Sequence, residues 1–277
     1  VIKDNIEVML AKRFFWLVMV VFPVLGWSQP ADRFQVLLQS APSEQPILAT
    51  SKMNQFIAAL EIKRGKLKSD ETFLRYAFRE SHKTFFHSYK AYSQFPEIFD
   101  SGNYDCLSAT SFFSVVLDAF GFEYKIIETN YHIFLIVEAD QKQILLESTD
   151  RNNGFVADDR LIKEKIRGYR ENKMLTTADK YYYQYDVDLY QQVMPQQLTG
   201  LLYFNQAVMA FNNNDLTECA LKLKKAIRIY NSPRATELIA ILVTQVAASD
   251  LKEEEKKNLI RPFASFIKAK GFVVAAS

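Results

Sequence analysis

The stretch from Cys106 to Phe120 constrains this chain most. Leu107, Ala109, Phe112, Phe113, Val115, Val116, Leu117, Ala119 and Phe120 spread round nearly the whole circumference of a helix, and Gly121 follows as a C-terminal stop. A helix without a polar face must be covered on almost every side, so other elements have to pack round it. With 277 residues, 49% of them apolar, the chain can bury such a core and form about two domains. A formal net charge of +2 argues against nucleic-acid binding by phosphate neutralisation. Twenty-two Phe and fourteen Tyr point to ordered aromatic packing rather than disorder.

The flanking segments supply the cover. Met53, Phe56, Ile57 and Leu60 recur at helical spacing over residues 51–63, and Arg64-Gly65-Lys66 reads as a turn. Ser69 before Asp70 and Glu71 predicts a capped helix start, because a hydroxyl satisfies free amides and acids suit the positive end of the macrodipole. That helix is expected to run to about Tyr89, burying Phe73, Leu74, Ala77, Phe78, His82, Phe85 and Phe86. Residues 101–105 read as a loop. Beyond Gly121, residues 122–128, 131–137 and 143–148 read as strands, joined by a tight connection at Asn130-Tyr131 and a turn within 138–142. The order predicts an α+β domain.

Three residues in this region carry chemistry. Cys106 stands in the first turn of the buried helix, where free backbone amides favour a thiolate over a thiol. His132 opens the second strand and Glu147 ends the third. A two-residue turn at Asp140 and Gln141 sets Ala139 opposite Lys142, Phe134 opposite Glu147 and His132 opposite Thr149. His132 and Glu147 then become diagonal neighbours on one face. A register slipped by one residue brings Asp150 to that face instead, so Asp150 stays a candidate acid. An imidazole takes the proton of a thiol, and a carboxylate orients the imidazole through its other N–H. The thiolate then attacks an amide or ester carbonyl. The backbone amide of Cys106 is the first candidate oxyanion donor, with Asn103 or Asn130 as candidates for a second.

Asp105-Cys106-Leu107-Ser108-Ala109-Thr110, Glu128-Thr129-Asn130-Tyr131-His132-Ile133-Phe134-Leu135 and Leu146-Glu147-Ser148-Thr149-Asp150 together form a recognisable pattern. It resembles the transglutaminase-like superfamily, particularly its bacterial exported members, over about residues 95–160. The resemblance implies a papain-like α+β core and thiol acyl transfer on peptide or protein amides through Cys106, His132 and Glu147, with hydrolysis favoured over transamidation. Two adjacent positions depart from the family pattern: Glu147 stands where an Asp is usual, and the Pro that commonly follows is Ser148. Fold resemblance alone does not select the reaction, and inactive relatives that serve as binding modules share it.

The ends of the chain add organisation. Lys12 and Arg13, the apolar run at 14–25 and Gly26-Trp27-Ser28 read as an export signal cleaved after Ser28. An uncleaved anchor is the alternative, although the run is short of the roughly 20 residues that span a bilayer. The expected division is residues 1–28 as upstream residues and signal, 29–170 as the catalytic domain and 171–277 as a helical region, in an exported protein without a membrane span after cleavage. Past an aromatic run at 181–185, Tyr203, Ala207, Ala210, Asp215, Cys219, Leu223 and Ala226 follow the bulky and small positions of one tetratricopeptide-like repeat, and residues 235–247 could open a second. About three repeats make an independent solenoid, so this unit is expected to pack on the catalytic domain. It is also the candidate surface for a protein partner. Cys219 reads as a small core residue. A bridge to Cys106 would block the thiol, and sequence alone leaves it open. His82 and His87 lack ligand spacing, and no Gly-rich phosphate loop occurs, so neither a metal nor another cofactor is expected.

Overall fold

The computed structural model describes residues 30–130, 132–170 and 189–269. The signal-like segment, Tyr131 and the aromatic run at 181–185 lie outside the described residues. Helices α1 (Pro30–Leu38), α2 (Pro46–Arg64) and α3 (Asp70–Thr84) lead to a short strand β1 (Ser88–Tyr89), a single turn α4 (Glu97–Asp100) and strand β2 (Asn103–Tyr104). Next come α5 (Cys106–Ala119) and strands β3 (Glu123–Thr129), β4 (Ile133–Ala139), β5 (Lys142–Leu146) and β6 (Phe155–Val156). The chain continues through α6 (Asp159–Arg170), β7 (Tyr190–Val193), α7 (Leu198–Asn212), α8 (Leu216–Ile229), α9 (Pro233–Ala248), α10 (Glu253–Ile260) and α11 (Ala264–Ala269).

Five strands form one antiparallel sheet in the order β6-β5-β4-β3-β7, so the molecule is α+β. Helix α5 is the centre of the larger core. Phe112 and Phe113 are all but inaccessible and meet Phe56, Phe78, Phe85, Phe86 and Phe99 ring to ring. One face of the sheet, with Ile126, Leu135, Val137 and Ile144, joins this core. The other, with Ile127, Phe134, Ile136 and Leu145, is covered by Ile162 of α6. Strand β4 is therefore apolar at consecutive positions because both its faces are covered.

The expected hairpin register is present from Ala139–Lys142 to Leu135–Leu146, but the pairing stops there. Strand β4 begins at Ile133 and β5 ends at Leu146, so the expected pairs Phe134–Glu147 and His132–Thr149 do not form and His132 and Glu147 lie just beyond the strands. Asp140 and Gln141 both have positive φ, 49° and 62°, the handedness that matches a two-residue turn to the twist of its strands. Ser69 caps α3 as expected, accepting the Thr72 amide, and Gly121 (φ 68°) follows the end of α5.

Three elements differ from the sequence reading. Helix α3 stops at Thr84 rather than near Tyr89. Phe85 and Phe86 still enter the core, but the backbone beyond them turns to pair β1 with β2 in parallel, with His87 N–H on Gly102 O and Lys90 N–H on Tyr104 O. This also gives part of the predicted loop at 101–105 a strand partner. Gly102 permits the approach: its φ is 78°, and a Cβ there would lie 2.3 Å from the His87 ring. Second, α6 occupies residues that carried no expected element. Third, β7, within the segment assigned to the helical region, forms the edge of the sheet beside β3.

Helices α7 and α8 make a hairpin whose core holds Ala207, Cys219, Leu223 and Ala226, extended by α9 and Phe263. Cys219 is fully buried among these residues, as expected. The hairpin also packs on the rest of the molecule, with Leu198, Leu201 and Leu202 of α7 in the larger core. Gln206 Nε2 donates to Ser40 O at 3.2 Å. The guanidinium of Arg234 on α9 binds the fully buried Glu128 of β3, whose Oε2 also accepts Tyr230 Oη at 2.8 Å and Gln191 Nε2 at 3.1 Å.

Candidate active site

Local sequence sets the start of α5. Asp105 has extended backbone and caps the helix: Oδ1 accepts the Ser108 amide at 2.7 Å, while Ser108 Oγ accepts the Asp105 amide at 2.8 Å. This reciprocal pair sets Cys106 at the first helical position. The Asp105 carboxyl is deeply buried, and burial lifts it to about 6 against hydrogen bonds from Ser108 and Leu107. Its Oδ2 faces Asn205 Nδ2 of α7 at 3.4 Å.

The connection before β4 sets the histidine. Thr129 N–H donates to His132 O at 2.8 Å, and Thr129 Oγ1 accepts the His132 amide at 3.2 Å. The ring stacks beside Phe134, with centroids 6.1 Å apart and planes at 22°. Its Nε2 contacts Glu147 Oε2, and Cys106 lies near enough to act on the charge of the ring. Since Nε2 is taken by the acid, Nδ1 is the ring nitrogen left for the thiol.

Glu147 lies just past β5, where the chain turns sharply. Its amide donates to Gly154 O and the Gly154 amide to Asp150 O, both at 2.7 Å. A Cβ on residue 154 would lie 2.0 Å from Glu147 O, so only glycine closes this loop undistorted. Both carboxylate oxygens are used. Oε1 accepts the Thr149 amide at 3.0 Å and the Thr149 hydroxyl at 2.6 Å, while Oε2 takes His132 and, at 2.9 Å, Tyr169 Oη.

The chain gives no match to protein-family models, to curated proteins or to solved structures.

Charge in the site is strongly coupled. Burial disfavours the His132 imidazolium, but the Glu147 carboxylate and Cys106 outweigh it and raise His132 to about 10. Burial likewise works against the Glu147 carboxylate, and the opposing charge and hydrogen bond of His132, with Thr149, bring it down to about 2. Over a wide pH range the two groups therefore form an ion pair.

Cys106, His132 and Glu147 are thus brought together. Asp150 is not: its Oδ1 accepts the amides of Asn152 and Asn153, and its Oδ2 lies 3.8 Å from Lys165 Nζ. Asn103 Nδ2 is spent on Glu97 at 3.1 Å, and Asn130 Oδ1 accepts the Leu189 amide at the entry to β7. Cys106 and Cys219 are both free thiols, so the bridge left open by the sequence does not form. His82 is a packing residue, buried under Phe78 and Phe86, with its nitrogens 2.9 Å from Phe78 O and 3.0 Å from Ser148 O. Among the described residues no cluster of metal-ligating side chains occurs, and no helix is long and apolar enough to cross a membrane.

Sequence reasoning missed Tyr169. It lies on α6, whose inward side chains Ile162, Ile166 and Tyr169 recur at i, i+4 and i+7 behind an Asp158 that accepts the Leu161 amide. That spacing and cap were the available signal. Ser148 was also missed: its Oγ lies 3.4 Å from Thr110 Oγ1 and 3.5 Å from Cys106 O, tying the acid loop to the cysteine helix.

Proposed function

We propose that this chain is a thiol acyl-transfer enzyme with a papain-like core of the transglutaminase-like kind, acting on peptide or protein amides. The observation that carries the reading is the His132 imidazole, which lies by Cys106 and pairs with a buried carboxylate that is itself fully hydrogen-bonded. His132 holds the thiol proton as an imidazolium, which Glu147 stabilises, so that the nucleophile is the sulfur of a thiolate–imidazolium pair. The thiolate attacks the amide carbon. Negative charge develops on the carbonyl oxygen, and the Cys106 amide is the donor we assign to it, since Asp105 takes those of Leu107 and Ser108. Collapse breaks the C–N bond as the imidazolium protonates the departing amine, leaving a thioester on Sγ. Water, deprotonated by His132, then releases the acid and restores the thiol.

Water is our preferred acceptor over an amine, and an exported setting follows from the signal-like segment. Helices α7 and α8 are read as one tetratricopeptide-like hairpin that buttresses the site and offers a surface to a protein partner. The test is alkylation of Cys106 by iodoacetamide over a range of pH, followed by a peptide-amide screen with Cys106→Ala as control. Alkylation faster than that of a free thiol at neutral pH and below is expected. A Cys106 that reacts no faster than a free thiol at any pH overturns the catalytic reading and leaves a binding module in its place.

A further inference from the structure

We propose that Tyr169 is a positioning residue that lets a glutamate serve where the family pattern carries an aspartate, by holding the Glu147 carboxylate in line with the His132 imidazole. This deepens the reading of the site given above and rests on it. The extra methylene of Glu147 adds a rotatable bond between the fixed backbone and the carboxylate, so one anchored oxygen no longer defines where the other points. Thr149 anchors Oε1 and is a local partner, two residues away on the same loop. Oε2, the oxygen that faces His132, is held by Tyr169 from a different element on the far face of the sheet.

The tyrosine is itself well fixed. Its ring centroid lies 5.0 Å from those of His132 and Phe134, at interplanar angles of 43° and 38°, so the hydroxyl reaches Oε2 from a clamped ring. Burial, then the negative charge of Glu147, push the phenol above its ordinary range, which keeps it a donor. The titratable groups that face His132 are Cys106 from α5, Glu147 from the loop after β5 and Tyr169 from α6, with Asp150 acting on Tyr169 from the same loop.

Tyr169→Phe removes the hydroxyl and keeps the ring, and the possible roles of the hydroxyl differ in sign. If the hydroxyl only fills space, His132 is unchanged. If it only draws electron density from the carboxylate, its loss makes Glu147 more basic and His132 rises. If it positions the carboxylate, Oε2 swings away and His132 falls.

The experiment is an NMR titration of His132 in the full chain, paired with the iodoacetamide rate at Cys106. In Tyr169→Phe we expect His132 to fall by at least about one pH unit, tenfold in proton affinity, and alkylation at neutral pH to slow with it. In Glu147→Asp the shorter acid withdraws from the hydroxyl by about 1.5 Å, one C–C bond, so adding Tyr169→Phe to it should change neither readout further. An unchanged or raised His132 in Tyr169→Phe overturns the proposal, as does an equal effect in both backgrounds. If Tyr169→Phe does not fold, the wild type carries the test: a downfield Tyr169 hydroxyl proton with an Overhauser contact to His132 is expected, and its absence overturns the proposal. A wild-type His132 that titrates near 6.5 is a different failure, since it removes the ion pair on which the function itself rests.

Discussion

Glu147→Gln tests the electrostatics of the site at its strongest point. The substitution keeps the shape and an acceptor oxygen but removes the charge opposite His132. At an effective dielectric of about 20, two unit charges about 4 Å apart attract by about 4 kcal/mol, and at 1.36 kcal/mol per unit this is about three pH units. Burial, the largest influence on His132, still disfavours the imidazolium in the variant. His132 should therefore drop from about 10 to near 7. The effect on stability has two edges. His132 is raised on folding, so its contribution is complete below its ordinary 6.5 and is lost as pH rises towards 10. Glu147 is depressed on folding, so its contribution is present above its ordinary 4.5 and is lost as pH falls towards 2. The two are one interaction seen from both ends. The stability gap between wild type and Glu147→Gln should accordingly peak between pH 4.5 and 6.5 and narrow on either side. Urea unfolding at several pH values measures the gap, and the His132 ring proton reports the titration. A gap independent of pH, or a His132 that titrates identically in both proteins, refutes the reasoning.

Four further outcomes follow from named contacts. Gly154→Ala drives a methyl into Glu147 O and Asp150 O, 2.0 and 2.3 Å away, so it should cost about 1–3 kcal/mol in urea unfolding and slow Cys106 alkylation by displacing the acid. Gln141→Gly relieves a left-handed residue (φ 62°) at the turn and should stabilise the fold by about 0.5–1 kcal/mol with no change in thiol reactivity. Arg234→Leu strands the fully buried Glu128 and should cost about 3–5 kcal/mol, measured in the same way. Cys106→Ala should shift stability by no more than about 1 kcal/mol, and thiol counting on the native variant should then find none reactive, because Cys219 is buried and its thiol is pushed up to about 12.

Legibility followed the range of the interactions. The Ser69 cap, the Gly121 stop and the β4–β5 register rest on neighbours in sequence, and each was read correctly. Strand parity pointed to Glu147 over Asp150, although β5 ends at Leu146 and it is the loop closed by Gly154 that carries the carboxylate to His132. What failed to show was set from a distance. Strands β1 and β2 are two residues long and carry no period, so nothing local separates them from a helix end and a loop. Strand β7, Tyr-Gln-Gln-Val, is half polar and exists because β3 offers it an edge. Tyr169 had a local signature in the spacing of α6, but its role depends on which face of the sheet that helix covers.

The motif residues around the triad have structural duties that account for the pattern without reference to catalysis. Ser108 completes the cap of α5, Thr110 meets Ser148 across the join between helix and acid loop, and Thr149 holds Glu147. Remove the thiol and all three contacts survive, so a relative that lost its nucleophile would keep Ser-Ala-Thr and Ser-Thr intact. The pattern therefore reports the docking of the cysteine helix on the acid loop. The proposed chemistry rests instead on the one arrangement that docking does not require: a carboxylate with both oxygens tied, buried against an imidazole that it keeps charged. Burying that pair is costly unless every oxygen and N–H is satisfied. A fold that needed only the join could fill the same space with apolar side chains.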